Sequence, residues 1–286
     1  MSARIDVLEV AGRDTLGEGP WWDVAEQRLW WVDILGRRIR NSSLDGDERE
    51  PIVTPSDVGF ALPDSAGGVV AGLADGLVRL EPDGGQRSLW LGGHDPAEVR
   101  INDGITDRRG RVWFGTMHRE ETKAVGSLFR HAAGSTTEVL DGITTSNGLG
   151  WSPDNRVFYY TDSMARTIWA FDFDNDTGDI SNRRVFAEDT DCYPDGLTVD
   201  ETGAVWGSKW DGGRIVRYHP DGTIDQVITM PVKKTTSLSF SGPNLDVLAV
   251  TSANKEPGDG ELAGAVFLVD VGVKGIAEVP ADLARL

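Results

Sequence analysis

Cysteine is almost absent. Cys192 is the single one in 286 residues, so the chain can close no internal disulfide, as expected of a protein in a reducing compartment. Cys192 itself reads as a small buried filler, the usual role of an unpaired thiol. Long apolar runs are missing too, and none approaches the roughly 18 residues that cross a bilayer. The opening stretch Met1–Val7 is too short and too charged for a secretory leader, and cytoplasmic residence is the expectation. Positive charge is scarce: 28 Lys and Arg stand against 46 Asp and Glu, a net charge of −18. Such a surface repels phosphate backbones, so no nucleic-acid partner is expected, and no membrane partner either. Helical periodicity is lacking as well: no segment beyond about ten residues spaces its apolar side chains at 3.6. The fold must come from strands.

What the chain has in place of helices is turns. Six times an Asp/Gly/Pro/Asn/Ser cluster precedes a short apolar run. Trp22–Arg28 precedes Leu29–Asp33, Asp64–Gly68 precedes Val69–Gly72, and Asp107–Gly110 precedes Arg111–Trp113. Ser152–Asn155 precedes Arg156–Phe158, Asp200–Gly203 precedes Ala204–Trp206, and Ser241–Asn244 precedes Leu245–Leu248. This is hairpin chemistry. A third strand follows each pair: Arg37–Ile39, Gly76–Leu80, Ser127–Arg130, Thr167–Asp172, Arg214–Tyr218 and Ala265–Val269. An all-β unit of roughly 40–48 residues, repeated six times, uses up the chain. The expected fold is a six-bladed β-propeller of four-stranded blades, one domain over residues 1–286. Ile5–Val10 reads as a strand with no hairpin of its own; it should complete the blade of Ala265–Val269, closing the ring and hiding an edge.

At one phase of the repeat a polar side chain stands before glycine four times: Glu18-Gly19, Asn102-Asp103-Gly104, Asn147-Gly148 and Asp195-Gly196. Each lies ahead of a Trp- or Phe-bearing strand. In a ring these side chains converge at the channel mouth, while the other two blades offer Gly59 and Ser237 there. Carboxylates and an amide are hard oxygen donors, suited to Ca²⁺, Mg²⁺ or Mn²⁺. Taken singly, each pair would read as a β-turn, as most isolated Asx-Gly pairs do; four in register favour a metal site. The glycine would allow a tight turn and close backbone approach.

The same residues carry a likeness. Gly17–Trp22, Arg100–Gly104, Phe114–Met117, Ser146–Leu149, Tyr193–Leu197, Ile180–Arg184, Lys234–Ser237 and Gly272–Ala277 together resemble the senescence-marker-protein/gluconolactonase/luciferin-regenerating-enzyme family over nearly the whole chain. The resemblance implies a six-bladed propeller with one divalent cation at the channel mouth, and a sugar lactone as substrate, hydrolysed to the aldonic acid. It puts the metal ligands on Glu18, Asn147 and Asp195, and lactone contacts on Arg100, Asn102 and an acidic residue after Met117. Direct counting favours Glu120 over Glu121 for that acid. Ca²⁺ leads as the cation; Mg²⁺, Mn²⁺, Zn²⁺ and Fe²⁺ stay open.

These residue types suit the chemistry. A cation polarises the lactone carbonyl and acidifies bound water. Asp195 would act as general base, or would orient a water already activated by the metal. Arg100 can pair with ring or carbonyl oxygens, or with a carboxylate that holds its loop. Asn102 both donates to and accepts from sugar hydroxyls. Asp103 would steady the loop or a metal-bound water, His118 would face the pocket or take a rim or packing role, and Trp210 would offer a platform to a sugar face or fill the core. Two loops, 94–98 and 252–260, depart most from animal members of the family, and loops tend to set specificity. Competing readings are an organophosphate or aryl-ester hydrolase with a second, deeper metal, and a calcium-binding protein without catalysis. A monomer or weak homo-oligomer is expected.

Overall fold

A computed structural model of the chain describes residues 3–283. Among these residues there is no helix; the strands form six four-stranded antiparallel sheets arranged as the blades of a propeller. Five blades are continuous, over residues 17–53, 58–91, 99–143, 146–188 and 193–229. In the sixth, Thr235–Ser241, Val247–Ser252 and Phe267–Asp270 are joined by the N-terminal strand Ile5–Val7. Ile5, Asp6 and Val7 pair with Val269, Leu268 and Phe267. The ring is thus closed as expected, though by a strand three residues shorter. After Val7 the chain turns inward: Leu8 is buried and donates to the Val266 carbonyl at 2.9 Å.

In each of the first five blades, the strand earliest in sequence is innermost. Inner strands such as Ser146–Trp151 and Thr235–Ser241 are buried throughout, whereas the outer strands Gln86–Leu91 and Ile224–Thr229 are largely exposed. An inner strand is covered on both faces by neighbouring blades, so it tolerates few large polar side chains. Between blades lie apolar clusters rich in the expected aromatics, including Trp113, Trp151, Phe158 and Tyr160.

Three blades share a polar brace that fixes a tryptophan on the second strand. Trp31 Nε1 donates to Asp14 (2.8 Å), Trp113 Nε1 to Asp107 (2.9 Å) and Trp206 Nε1 to Asp200 (3.0 Å). Each aspartate also holds an arginine: Arg40, Arg111 and Arg217, respectively. A buried indole N–H and a buried charge are both satisfied at once, which is the condition for keeping either inside.

The last segment crosses the ring on the face where the inner strands end. Gly275 donates to Leu245, and Glu201 donates to Lys274, in blades six and five. Two residues on, Arg108 donates to the Ala277 carbonyl, and Thr106 donates to Val279, both from blade three. Ala281 then exchanges hydrogen bonds with Pro63 and Ser65 of blade two. In so few residues the chain can pass from blade five to blade three only across the lower mouth of the channel.

Two expectations follow. A Cβ on Gly275 would overlap the Phe240 ring, so Gly275→Ala should cost about 1–3 kcal/mol, as overpacking does, seen as a lower urea midpoint. At Asp200 burial raises the carboxyl, but hydrogen bonds from Thr202, Arg217 and Trp206 outweigh it and leave it below the ordinary value. A depressed carboxyl adds stability above its unfolded pKa of about 4 and loses it as pH falls through the folded value. The melting deficit of Asp200→Asn should therefore be full at pH 7 and shrink towards about pH 3.

Candidate functional site

The repeated polar-Gly pairs are not turns. All six inner strands carry a bulge at this one point: around Gly19-Pro20, Gly59, Asn102, Gly148, Asp195-Gly196 and Thr236-Ser237 the register with the second strand slips. A bulge bends its strand and re-aims the side chain beside it. Only Gly19 of these glycines has a left-handed backbone, at φ 53°. The others serve close approach: a Cβ on Gly148 would lie 2.6 Å from the Asp195 carbonyl oxygen, and one on Gly59 2.6 Å from that of Asn102. The bulge aims the side chain, and the glycine lets adjacent inner strands touch.

At the upper mouth lies a cavity of about 260 Å³. Glu18, Arg100, Asn102, Asn147 and Asp195, five of the expected site residues, line it together. Asn147 is oriented by two neighbours: its Nδ2 donates to Ser163 Oγ (2.8 Å) and its Oδ1 accepts from Asn102 Nδ2 (2.8 Å). Asn102 Nδ2 also donates to the Ser146 carbonyl at 2.7 Å. Both amide oxygens are thereby held in fixed directions, each with acceptor capacity left.

Electrostatics make the site costly. Burial, then the charge of Asp103, pushes the Glu18 carboxyl well above its ordinary value. Burial, then Glu18 and Asp103, does the same to Asp195. Asp103 itself is pushed up to about 6 by burial. Asp195 is 6 % exposed, and its Oδ1 has no hydrogen-bond partner. An orphaned carboxylate oxygen beside a second buried carboxylate and a fixed amide oxygen fits a hard divalent cation, which satisfies lone pairs and offsets repulsion together. Another group with close ligand atoms, Asp189, Asp191 and Cys192, fits less well. Lys209 and Arg214 already pair with its two carboxylates, and burial holds the Cys192 thiol up at about 12.

Arg100 is 7 % exposed and, among the described residues, has no carboxylate partner; its Nη1 donates only to the Ile101 carbonyl (3.1 Å). Asp57, the nearby acid, is taken by Arg119 (2.6 Å) and Arg37 (3.3 Å). The loop-holding salt bridge is therefore made by Arg119, and Arg100 keeps its donors for the cavity. Burial and the charge of Arg119 lower its guanidinium to about 10.

One expectation needs correction, and two that stood open fall to one side. Glu121, not Glu120, lines the cavity. A turn closed by the Glu121 N–H on the His118 carbonyl (2.9 Å) reverses the chain, and Glu121 takes a left-handed φ of 57°, so counting along an extended strand misplaces the acid by one. His118 is not in the wall; it is buried, with Nδ1 3.4 Å from the Thr122 N–H, and it anchors that turn. Asp103 lies below the cavity, lining a void of about 20 Å³ on the axis and accepting from the Gly104 N–H (2.7 Å). Trp210, left between platform and core, is in the cavity wall with Tyr193 and Lys255. Nothing in the repeat marks these last two.

Known proteins share this fold. The model of the SMP-30/gluconolactonase/LRE-like family matches residues 16–254. The chain belongs to that family. A pentonolactonase of Haloferax volcanii is 38% identical to this family member, covering 94% of this chain and 95% of its own. Among solved structures, a luciferin-regenerating enzyme superposes with a TM-score of 0.93 at 29% identity, over 99% of this chain and 100% of its own. A calcium-binding regucalcin of Agrobacterium tumefaciens does so with 0.90 at 28%, over 100% and 98%.

The crowded carboxyls predict a stability signature. An acid raised on folding costs stability in full above its folded pKa, and the cost is relieved as pH falls through that value towards the unfolded one. Metal-stripped protein at pH 8 should therefore melt higher as Asp195→Asn than as wild type. The gain should be about 2–4 °C, the shift produced by ~1 kcal/mol in a large domain, and should narrow towards pH 5. Added Ca²⁺ should raise the wild-type midpoint and leave that of Asp195→Asn nearly unmoved.

Proposed function

We propose that this chain hydrolyses a sugar lactone to the aldonic acid with the help of one divalent cation, Ca²⁺ being the best fit to the donor set. The observation that carries the reading is the buried, unpartnered Asp195 Oδ1 in a cavity that also presents Glu18, Asn147 and an unpaired Arg100. The family's pentonolactonase relative supports the reaction class, and the calcium-binding regucalcin structure supports the cation.

Glu18, Asn147 and Asp195 would hold the cation, which when bound polarises the lactone carbonyl and acidifies water. The Asn102 amide, fixed by Ser146 and Asn147, orients the sugar through its hydroxyls. Arg100 donates to the ring or carbonyl oxygen, where negative charge builds as water adds to the carbonyl carbon. Asp195 takes the proton of the attacking water on the carboxylate oxygen not given to the cation. The ring C–O bond then breaks, and that proton passes to the departing alkoxide, leaving an aldonic acid. Glu121 adds an acceptor for substrate hydroxyls at the rim. Exclusion of bulk water from the buried wall strengthens each of these contacts.

The organophosphate-hydrolase alternative calls for a deeper cation. The axial void offers one carboxylate, Asp103, among Leu62, Ile105, Leu149, Leu197 and Leu238, a poor cage for a second ion.

Stripping divalent cations should lower kcat/KM on glucono- and pentonolactones at least about 100-fold, and Ca²⁺, Mg²⁺ or Mn²⁺ should restore it. Full activity in the stripped protein would refute the metal-dependent mechanism. Glu121→Gln should raise KM about tenfold, the loss of one charge-assisted hydrogen bond, while Glu120→Gln stays within about twofold.

A further inference from the structure

Lys255 is the one cation at the cavity mouth that neither the ligand set nor the fold employs. It lines the cavity, with its ammonium 5.2 Å from the centroid of the Trp210 ring. Its surroundings are acidic, yet it makes no ion pair among the described residues: three neighbouring carboxylates are shared by another lysine, and the Asp195 carboxyl feels its charge only at a distance. Lys234, itself buried, pairs with Asp259 (2.8 Å), Glu256 (3.3 Å) and Asp211 (3.4 Å). Asp259 also accepts the backbone N–H groups of Lys255 (2.9 Å) and Glu256 (2.8 Å), and Asn254 donates to the Thr15 carbonyl (3.0 Å). Lys255 therefore has a pinned backbone and an ammonium that lies over an aromatic face without a hydrogen bond or ion pair, among the described residues.

A charge balance of the wall gives this meaning. Its charged residues are Glu18, Glu121, Asp195 and Asp211 against Arg100 and Lys255. A divalent cation would offset Glu18 and Asp195, while Lys234 is shared among Asp211, Glu256 and Asp259, leaving Arg100 in the depth and Lys255 at the mouth as the wall's cations without an ion pair among the described residues. In a chain of net charge −18, the mouth thus still presents an ammonium outside any ion pair, able to meet an acidic ligand.

We infer that Lys255 is a specificity-determining residue for a lactone that carries an anionic group, carboxylate or phosphate, at the end of the sugar away from its carbonyl. The inference rests on the lactone-hydrolase reading and adds the substrate class to it. The reacting carbonyl lies deep, at Glu18, Asn147 and Asp195, and the sugar's C–H face lies on Trp210. The far carbon then projects towards the mouth, where Lys255 meets its anion. A neutral lactone leaves that ammonium to water.

The test compares matched lactones on the Ca²⁺-loaded full chain. D-glucaro-1,4-lactone differs from D-glucono-1,4-lactone by a carboxylate in place of the terminal hydroxymethyl, and 6-phosphoglucono-1,5-lactone differs from glucono-1,5-lactone by a phosphate. At least one anionic member should exceed its neutral counterpart about tenfold in kcat/KM, chiefly through KM, and which one does identifies the anion. Lys255→Met should bring that ratio down about tenfold, and Lys255→Arg should keep most of it. A loss due to misfolding would lower both members of a pair and leave their ratio intact. A wild-type ratio near one in both pairs, or a ratio unchanged in Lys255→Met, overturns the inference while leaving lactone hydrolysis standing. No hydrolysis of any of the four by folded, metal-loaded protein overturns both.

Discussion

Three carboxyl groups, those of Glu18, Asp103 and Asp195, share the axis of the ring inside a wall of low polarisability, and each raises the others' pKa or has its own raised by burial. A flexible chain would relieve that repulsion by letting the groups part. Here they cannot part, because they project from inner strands that pack against one another around a closed circle, and the circle is locked by the pairing of Ile5–Val7 with Phe267–Val269. The buried Asp–Trp–Arg braces of three blades stiffen the wall further out. The stability held in the scaffold is thus partly spent on keeping like charges together, the arrangement that makes a cation's arrival favourable.

Much of the scaffold was legible because strand chemistry is local. Turn residues before each second strand, and a third strand after it, gave the blade period, and two third strands, Gly76–Leu80 and Arg214–Tyr218, were delimited to the residue. The convergence of Glu18, Asn147 and Asp195 was legible as well, since a ring turns register in sequence into proximity in space. The physical reason for the pattern was not. An Asx-Gly pair signals a turn in most settings; here it marks a bulge inside a strand, a feature that exists only relative to the partner strand. That is also why Asn102 and Asp103, adjacent in sequence, part company: the bulge sends one into the cavity and the other down the axis.

Where the chain leaves the repeat, sequence phase carries no information. Glu121 reaches the cavity through a turn and a left-handed backbone that counting cannot foresee. The pairing state of Arg100 depended on Arg119 and Arg37 competing for Asp57, a contest decided by distances between blades. Loop 252–260 stood out in the sequence but Lys255 within it did not, since its lack of an ion pair among the described residues follows from Lys234 gathering three acids at once.

The segment that crosses the lower face has a consequence for traffic. By spanning blades six, five, three and two beneath the axis, it turns a tube into a well. In the proposed hydrolysis, lactone, water and aldonate must share one doorway, so each turnover has to empty the site by the route the next substrate will use. In such a vessel the departing acid stands in the path of the arriving lactone, and the pace of the cycle can be set by clearance at the rim as much as by bond-breaking at the bottom.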